Sequence, residues 1–405
     1  MQTVETSIMK FNPYTWNLYR QTVIGEKMIK YFSDAEGYDL FKRYCPHSCF
    51  IPEDLYNDWL EDIYCYGVSD YDKPVSLDEA KELYVSLITL GIRVEGQQWL
   101  PANDFKNMLE IIQPMSYILS QFAPEYFFPY LFLCRIFELD KIADFFGIDL
   151  PNIPKRADYK GRCMYYWELC EIFYGFRKEN GLSSVELWAF LYDFALNNIQ
   201  NEKTDIPKPS QAWFIGGRLY PEDKSLDSKF WQSNPDTAKG DILVHYETSP
   251  VSAITCIETS LTDGVIDPLF RYYGCIYIGN RISIPRISLK ELQADEYFSK
   301  HSLIRKKFQG VNGWGMSSED YSELLRVIKA KGFDTDTLPK LYAPTMPKNV
   351  NIEIERDVEQ QLLEPLLNSM GWYENKDFIR QLPIHAGRGH RVFPDYALHY
   401  DNKPD

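Results

Sequence analysis

Between Gln200 and Ser210 the hydrophobic pattern of the chain changes its period, and this change limits the possible folds more than any other feature. Before it, apolar residues recur at three- and four-residue spacing over long stretches, the period of an amphipathic helix. After it, the short runs AWFIGG, DILVHYE, AITCIET and GCIYIG, rich in β-branched and aromatic residues, alternate with turn residues, as strands do. The intervening QNEKTDIPKPS is polar, carries two prolines and reads as a linker. A second break follows in DTDTLPKLYAPTMPKNV, with three prolines and little apolar periodicity. At 405 residues the chain exceeds a single core. The pattern therefore predicts a multi-domain α+β protein: a helical region over residues 1–205, a β-rich domain over 211–333 and a third unit over 350–405.

Within the helical region the clearest signal runs from Asp158 to Ile199. Tyr165, Leu169, Ile172, Phe173 and Phe176 fall on one stripe, and Ser183 or Ser184 is placed to cap a following helix through Leu187, Phe190, Leu191 and Phe194. Further helices are expected at 76–91, 103–121 and 125–147, punctuated by Pro52, Pro74, Pro101 and Pro124. Tyr165, Tyr166 and Trp167 read as core packing.

The net charge of −15 excludes a uniformly basic nucleic-acid coat, so any phosphate contact has to be local. One such patch exists: residues 271–315 hold eight Lys or Arg against three Asp or Glu. No apolar run is long enough to span a bilayer and the first residues lack a signal-peptide core, so a cytoplasmic location is expected. The eight scattered cysteines read as reduced thiols. Cys45, His47 and Cys49, with Cys65 nearby, lack the second ligand pair that a structural zinc site needs. His245 and His301 stand alone and read as structural.

In the third unit, an amphipathic helix from Glu353 to Met370 precedes Gly371-Trp372 and two expected strands around DFIRQLPI and RVFPDYALHY. Glu355, the LLEPLL run, Arg380 and Pro394-Asp395-Tyr396-Ala397-Leu398, in that order, resemble the N-terminal nuclease module of type I restriction-enzyme motor subunits, within the PD-(D/E)xK superfamily. The resemblance implies a restriction-endonuclease-like α/β fold, Asp395 as a Mg²⁺ ligand and catalytic residue, and Glu355, or else Glu359, as the helix carboxylate. Arg380 is then a candidate contact to nucleic acid. The family's Glu-x-Lys is expected beyond residue 405, so the segment corresponds to the first half of that module.

The β-rich domain resembles the EVE domain, a PUA-like β-barrel related to modules that hold a flipped, often modified base. The matching pieces are Trp213, Trp231, Lys239-Gly240-Asp241 entering ILVHY, IPRISLKEL and RKKFQGVNGWGMSSEDYSELL. The resemblance implies an aromatic pocket drawn from Trp213, Trp231, Tyr246 and Trp314. An extruded base offers a π face to such rings, and pocket shape discriminates its substituents. Arg281, Arg286, Arg305, Lys306 and Lys307 supply the basic patch and the expected phosphate contacts.

Together these readings predict a restriction-like prokaryotic defence protein that senses modified nucleic acid, DNA ahead of RNA, and cleaves it with Mg²⁺. The helical region would dock a protein partner or self-associate. The chain contains no phosphate-binding GxxxxGK[ST] loop. The rival reading is a non-catalytic reader or adaptor for modified nucleic acid.

Overall fold

The structure is a computed structural model, and it describes residues 11–45, 51–94, 98–199, 206–219, 228–341, 347, 350–381, 384–385, 391–392 and 395–398. His47, Cys49 and Pro394 lie outside the described residues. The chain is mixed α and β: a helical region, a curled mixed sheet forming a half-barrel, and a small C-terminal unit. Among the described residues no helix is long and apolar enough to cross a membrane.

The helical region runs α1 (Pro13–Arg20), α2 (Val23–Asp34), α3 (Gly37–Tyr44), α4 (Glu53–Ile63), α5 (Leu77–Leu90), α6 (Phe105–Phe122), α7 (Ile136–Phe146), α8 (Tyr159–Glu179), α9 (Ser184–Ala189) and α10 (Ala195–Ile199). A short antiparallel hairpin, β1 (Ile92–Val94) and β2 (Gln98–Leu100), follows α5. The helix starts obey local chemistry. Ser183 accepts from the Glu186 N–H while Glu186 accepts from the Ser183 N–H, a capping box that starts α9. Of the predicted stripe, Tyr165, Leu169 and Phe173 are buried in the main core and Ile172 and Phe176 are half-buried, while Tyr166 and Trp167 are buried in that core as well.

The expected helix over 125–147 is cut short, because only Ile136–Phe146 is helical. Residues 127–132, FFPYLF, are fully buried yet irregular. Pro129 removes a donor, Cys134 takes a positive φ of 63°, and hydroxyls from neighbouring helices meet the backbone. Tyr166 Oη donates to the Phe128 carbonyl at 2.7 Å and Ser116 Oγ accepts from the Tyr130 N–H at 2.8 Å. Tyr192 Oη donates to the Pro129 carbonyl and accepts from the Leu131 N–H. Apolar content alone favoured a helix here, but proline and the available hydroxyls chose otherwise.

The half-barrel is built from β3 (Ala212–Gly217), β4 (Ser228–Gln232), β5 (Ile242–Glu247), β6 (Ala253–Ser260), β7 (Val265–Ile266), β8 (Gly274–Ser288) and β9 (Trp314–Met316). Its strand order is β4-β8-β6-β5-β3-β9, with β7 also on β8, and only the β3–β5 pair is parallel. Alternation divides the sheet into two faces. Ala212, Phe214, Ile242, Val244 and Tyr246 face a core completed by α11 (Leu289–Ala294), α12 (Ser302–Arg305) and α13 (Ser318–Ala330). Trp213, Ile215, Leu243, Ile276 and Ile278 form the other face, with Trp231 packed against them.

The loop from Asp267 to Tyr273 ties the half-barrel to the helical region. Leu269 is buried in the helical core, and Phe230 and Cys275 pack with Cys134. The C-terminal unit has a helix that begins as α14 (Glu355–Asp357), passes through a π-helical turn at Val358–Leu363 and ends as α15 (Glu364–Ser369). Pro365 cannot donate to an i−4 carbonyl, and a widened turn before it relieves the ring's clash. Strands β10 (Phe378–Arg380) and β13 (Tyr396–Leu398) pair antiparallel, as do β11 (Ile384–His385) and β12 (Arg391–Val392).

Candidate functional site

Strand β4 lies at one edge of the sheet, and a cavity of about 290 Å³ opens beside it. Its lining is Phe230, Trp231 and Gln232 of β4, Gly216 of β3, Asn312 from the loop before β9, and Phe270 and Tyr272 from the 267–273 loop. Gly217 is required by close approach: a Cβ there would lie 2.5 Å from Cζ2 of Trp231. Gly217 therefore lets the indole lie against the strand, while a Cβ at Gly216 would meet Val311 on the other side. Asn312 holds the wall together, accepting from the Gly216 N–H at 2.8 Å and donating to Gln232 Oε1 at 3.3 Å. Trp231 Nε1 is buried without a hydrogen-bond partner.

Behind Trp231 lies a buried charge network. Glu258 is 2% exposed at its side chain, accepts from Arg281 Nε at 2.9 Å, lies 3.7 Å from Lys229 Nζ and meets His245 Nδ1 at 2.9 Å. A bulge produces this arrangement. Asn280 takes a φ of 50°, and the β6–β8 register shifts between Ile257 and Thr259, which turns Arg281 toward Glu258 although Ile276 and Ile278 set the opposite phase. The Lys229 ammonium sits 4.5 Å from the Trp231 ring centroid, and His245 meets the same ring edge-on at 4.7 Å.

Burial pushes the Glu258 carboxyl up, but the His245 hydrogen bond and the charges of Lys229 and Arg281 outweigh it and bring it down to about 2. Burial holds His245 below its ordinary value, against the pull of Glu258. One carboxylate then faces two cations directly behind the pocket.

His245, Cys256 and Glu258 bring ligand-type atoms within 4.8 Å of one another, and they are the only such group of three among the described residues. They do not suit a divalent metal. Glu258 is already committed to Arg281 and Lys229, and burial pushes the Cys256 thiol up to about 12, away from the thiolate that a metal needs.

The expected aromatic pocket is divided by the sheet. Trp213 and Trp231 share one face, where Trp213 Nε1 donates to Asp241 at 2.8 Å. Asp241 also accepts from the N–H groups of Ser210, Gln211 and Ala238 and from the Ser210 hydroxyl, pinning the end of the linker to the strand. Tyr246 lies on the opposite face, stacked on Phe308 at 3.8 Å, and Trp314 packs on that face too. Strand register sets this division: Trp314 pairs with Phe214, not with Trp213.

The basic residues also separate. Arg281 is consumed by Glu258, and Arg286 is exposed and donates to the Val251 carbonyl. Arg305, Lys306 and Lys307 are exposed around the end of α12, with Lys306 Nζ 5.4 Å from the Trp314 ring. His301 is structural, its Nδ1 accepting from the Leu303 N–H at the start of α12.

In the C-terminal unit Arg380 is held by Glu374 at 2.8 Å and by Glu364, so its fork faces carboxylates of its own unit. Tyr396 pairs with Arg380 across the strands, and its hydroxyl is buried without a hydrogen bond. Glu355 and Asp395 are exposed and Glu359 is half-buried. These three acids form no group of ligand atoms within 4.8 Å, so the described residues do not by themselves supply a Mg²⁺ cage.

Sequence reading missed Glu258, Lys229, Gln232, Asn312, Phe270 and Tyr272. Polar residues inside otherwise apolar strands, His245 in ILVHYE and Glu258 in AITCIETS, were the available signal.

No family model matches the chain, and no curated protein matches it. Solved structures are similar over about a third of it. A protein of Rhodopseudomonas palustris, solved by NMR, is 12% identical, with 30% of this chain and 94% of that one covered and a TM-score of 0.26. A hypothetical protein from Leishmania major is also 12% identical, with 30% and 97% covered and a TM-score of 0.26. A crystal structure from Agrobacterium tumefaciens is 16% identical, with 32% and 98% covered and a TM-score of 0.27.

Proposed function

We propose that this chain reads a modified or extruded DNA base in the cavity beside Trp231, as the recognition part of a restriction-like prokaryotic defence protein. The observation that carries the reading is the lining of that cavity. Trp231, Phe230, Phe270 and Tyr272 offer apolar and π surface, and Gln232 and Asn312, bonded to each other, add amide groups to the lining. Its volume of 290 Å³ is close to the lower bound, roughly 300 Å³, of small-molecule sites. Arg305, Lys306 and Lys307, a few residues before Asn312 in the chain and exposed, are the candidate phosphate contacts, on the Trp314 side of the sheet.

The test is fluorescence anisotropy with short single-stranded DNA that does or does not carry one methylated base. Trp231→Ala is expected to weaken the preferred strand by about tenfold or more, since base–aromatic stacking is worth on the order of 1–3 kcal/mol per base. Weak, salt-sensitive binding should remain. Unchanged preference in this variant overturns the reading.

A second reading adds Mg²⁺-dependent cleavage by the C-terminal unit, with Asp395 as metal ligand and Glu355 or Glu359 as its helix partner. It is favoured by one observation, the seating of the 355–369 helix against the β10–β13 pair through Glu364 and Arg380. In a protein that carries the family's Glu-x-Lys as well, Asp395→Ala is expected to abolish Mg²⁺-dependent cleavage and leave binding nearly intact. Retained cleavage would exclude the role for Asp395, and DNA binding without any cleavage would favour the non-catalytic reader.

A further inference from the structure

Two of the cavity's aromatic residues belong to the loop between β7 and β8, whose backbone is bonded by a side chain of the helical region. Arg162 of α8 is 0% exposed. Its guanidinium donates to the carbonyls of Pro268 at 2.8 Å, Phe270 at 2.7 Å and Arg271 at 3.3 Å, with a further bond to Arg156 in its own region. The rings of Tyr159 and Tyr273 cover it, each centroid 5.2 Å away. Asp267, also fully buried, accepts from the Cys134 N–H across the interface and from the N–H groups of Leu269 and Phe270 within the loop. Tyr273, at a positive φ of 76°, donates to the Pro154 carbonyl at 2.7 Å, and Arg271 pairs with Glu110.

Burying a guanidinium among carbonyl oxygens is costly, and the return is a fork that fixes several backbone groups at once. Here those groups belong to the residues that carry the rings. Phe270 meets Phe230 edge-on at 4.8 Å and Tyr272 at 5.5 Å, while Tyr272 is 49% exposed at the cavity's rim. A surface aromatic next to a rigidly gripped backbone is preorganised for contact with a flat ring.

We propose that the helical region builds one wall of the pocket: Arg162 and Asp267 are positioning residues that hold the 267–273 loop so that Phe270 and Tyr272 contact the bound base and select its substituents. The inference rests on the base-reading function above. It makes the helical region part of the recognition site, in addition to any docking role.

Full-length wild type, Tyr272→Ala, Tyr273→Phe, Arg162→Lys and Trp231→Ala are compared by anisotropy on strands of about 12 nucleotides, within the site sizes of single-strand binders. Each strand carries one 5-methylcytosine, one N6-methyladenine or no modification. Tyr272→Ala should weaken the preferred strand by about tenfold. Tyr273→Phe, which removes one tether and touches no cavity atom, should reduce the ratio of modified to unmodified affinity a few-fold with an unchanged salt slope and melting temperature. Arg162→Lys should remove that ratio, and hydrogen exchange in the 267–273 loop should accelerate. If Trp231→Ala loses preference while Tyr272→Ala and Tyr273→Phe keep it, the wall is wrong and the base-reading function stands. If the wild type prefers no strand, both fall.

Discussion

The half-barrel and the C-terminal unit each bind an arginine to carboxylates, but they do so at very different depths. Glu258 is 2% exposed, whereas Arg380 is 32% exposed between Glu364 and Glu374. In the half-barrel, removing Glu258 strands Lys229, 2% exposed, out of reach of water and leaves Arg281, 17% exposed, without its counter-charge. In the C-terminal unit, water replaces a lost partner at once. The same residue types therefore hold a structure together in one region and dress a surface in the other.

The largest effect that could break this contrast is Glu258→Gln. It leaves Lys229 and Arg281 without their counter-charge and should destabilise the half-barrel by about 3–5 kcal/mol in urea denaturation. Arg380→Ala should leave the midpoint nearly unchanged. Equal effects would mean that burial does not distinguish the two pairs. Acid sharpens the same point. Because the folded Glu258 carboxyl lies near 2, below its unfolded value, its contribution is present above about pH 4.3 and lost as pH falls from there toward 2. Circular dichroism followed down that window should show the transition in wild type, with a weaker pH dependence in Glu258→Gln. The smallest effect is at a helix start: Ser317→Ala removes the cap on α13, where Ser317 and Asp320 exchange hydrogen bonds, and should cost about 1 kcal/mol.

The sequence showed the elements and hid what joins them. The stripe on α8, the Ser183 cap and the β-rich runs after Ala212 were legible because local period and capping chemistry determine them. The division of Trp213 and Trp231 from Tyr246 and Trp314 was not, since it depends on which strands become neighbours. The turn of Arg281 toward Glu258 depends on a bulge at Asn280 that has no local signature beyond a residue tolerant of positive φ. Phe270 and Tyr272 line the pocket from a loop whose backbone is bonded by Arg162, more than a hundred positions earlier in the chain.

The segment around Pro129 carries a last consequence. Tyr192 gives its proton to one backbone carbonyl and accepts from a nearby N–H, so a single phenol does for this segment what an adjacent strand would do in a sheet. Tyr192→Phe would keep almost every apolar contact and yet orphan two backbone groups in the driest part of the helical region. A residue that looks like aromatic filler is the hydrogen-bonding partner of a strand that the fold never had to build.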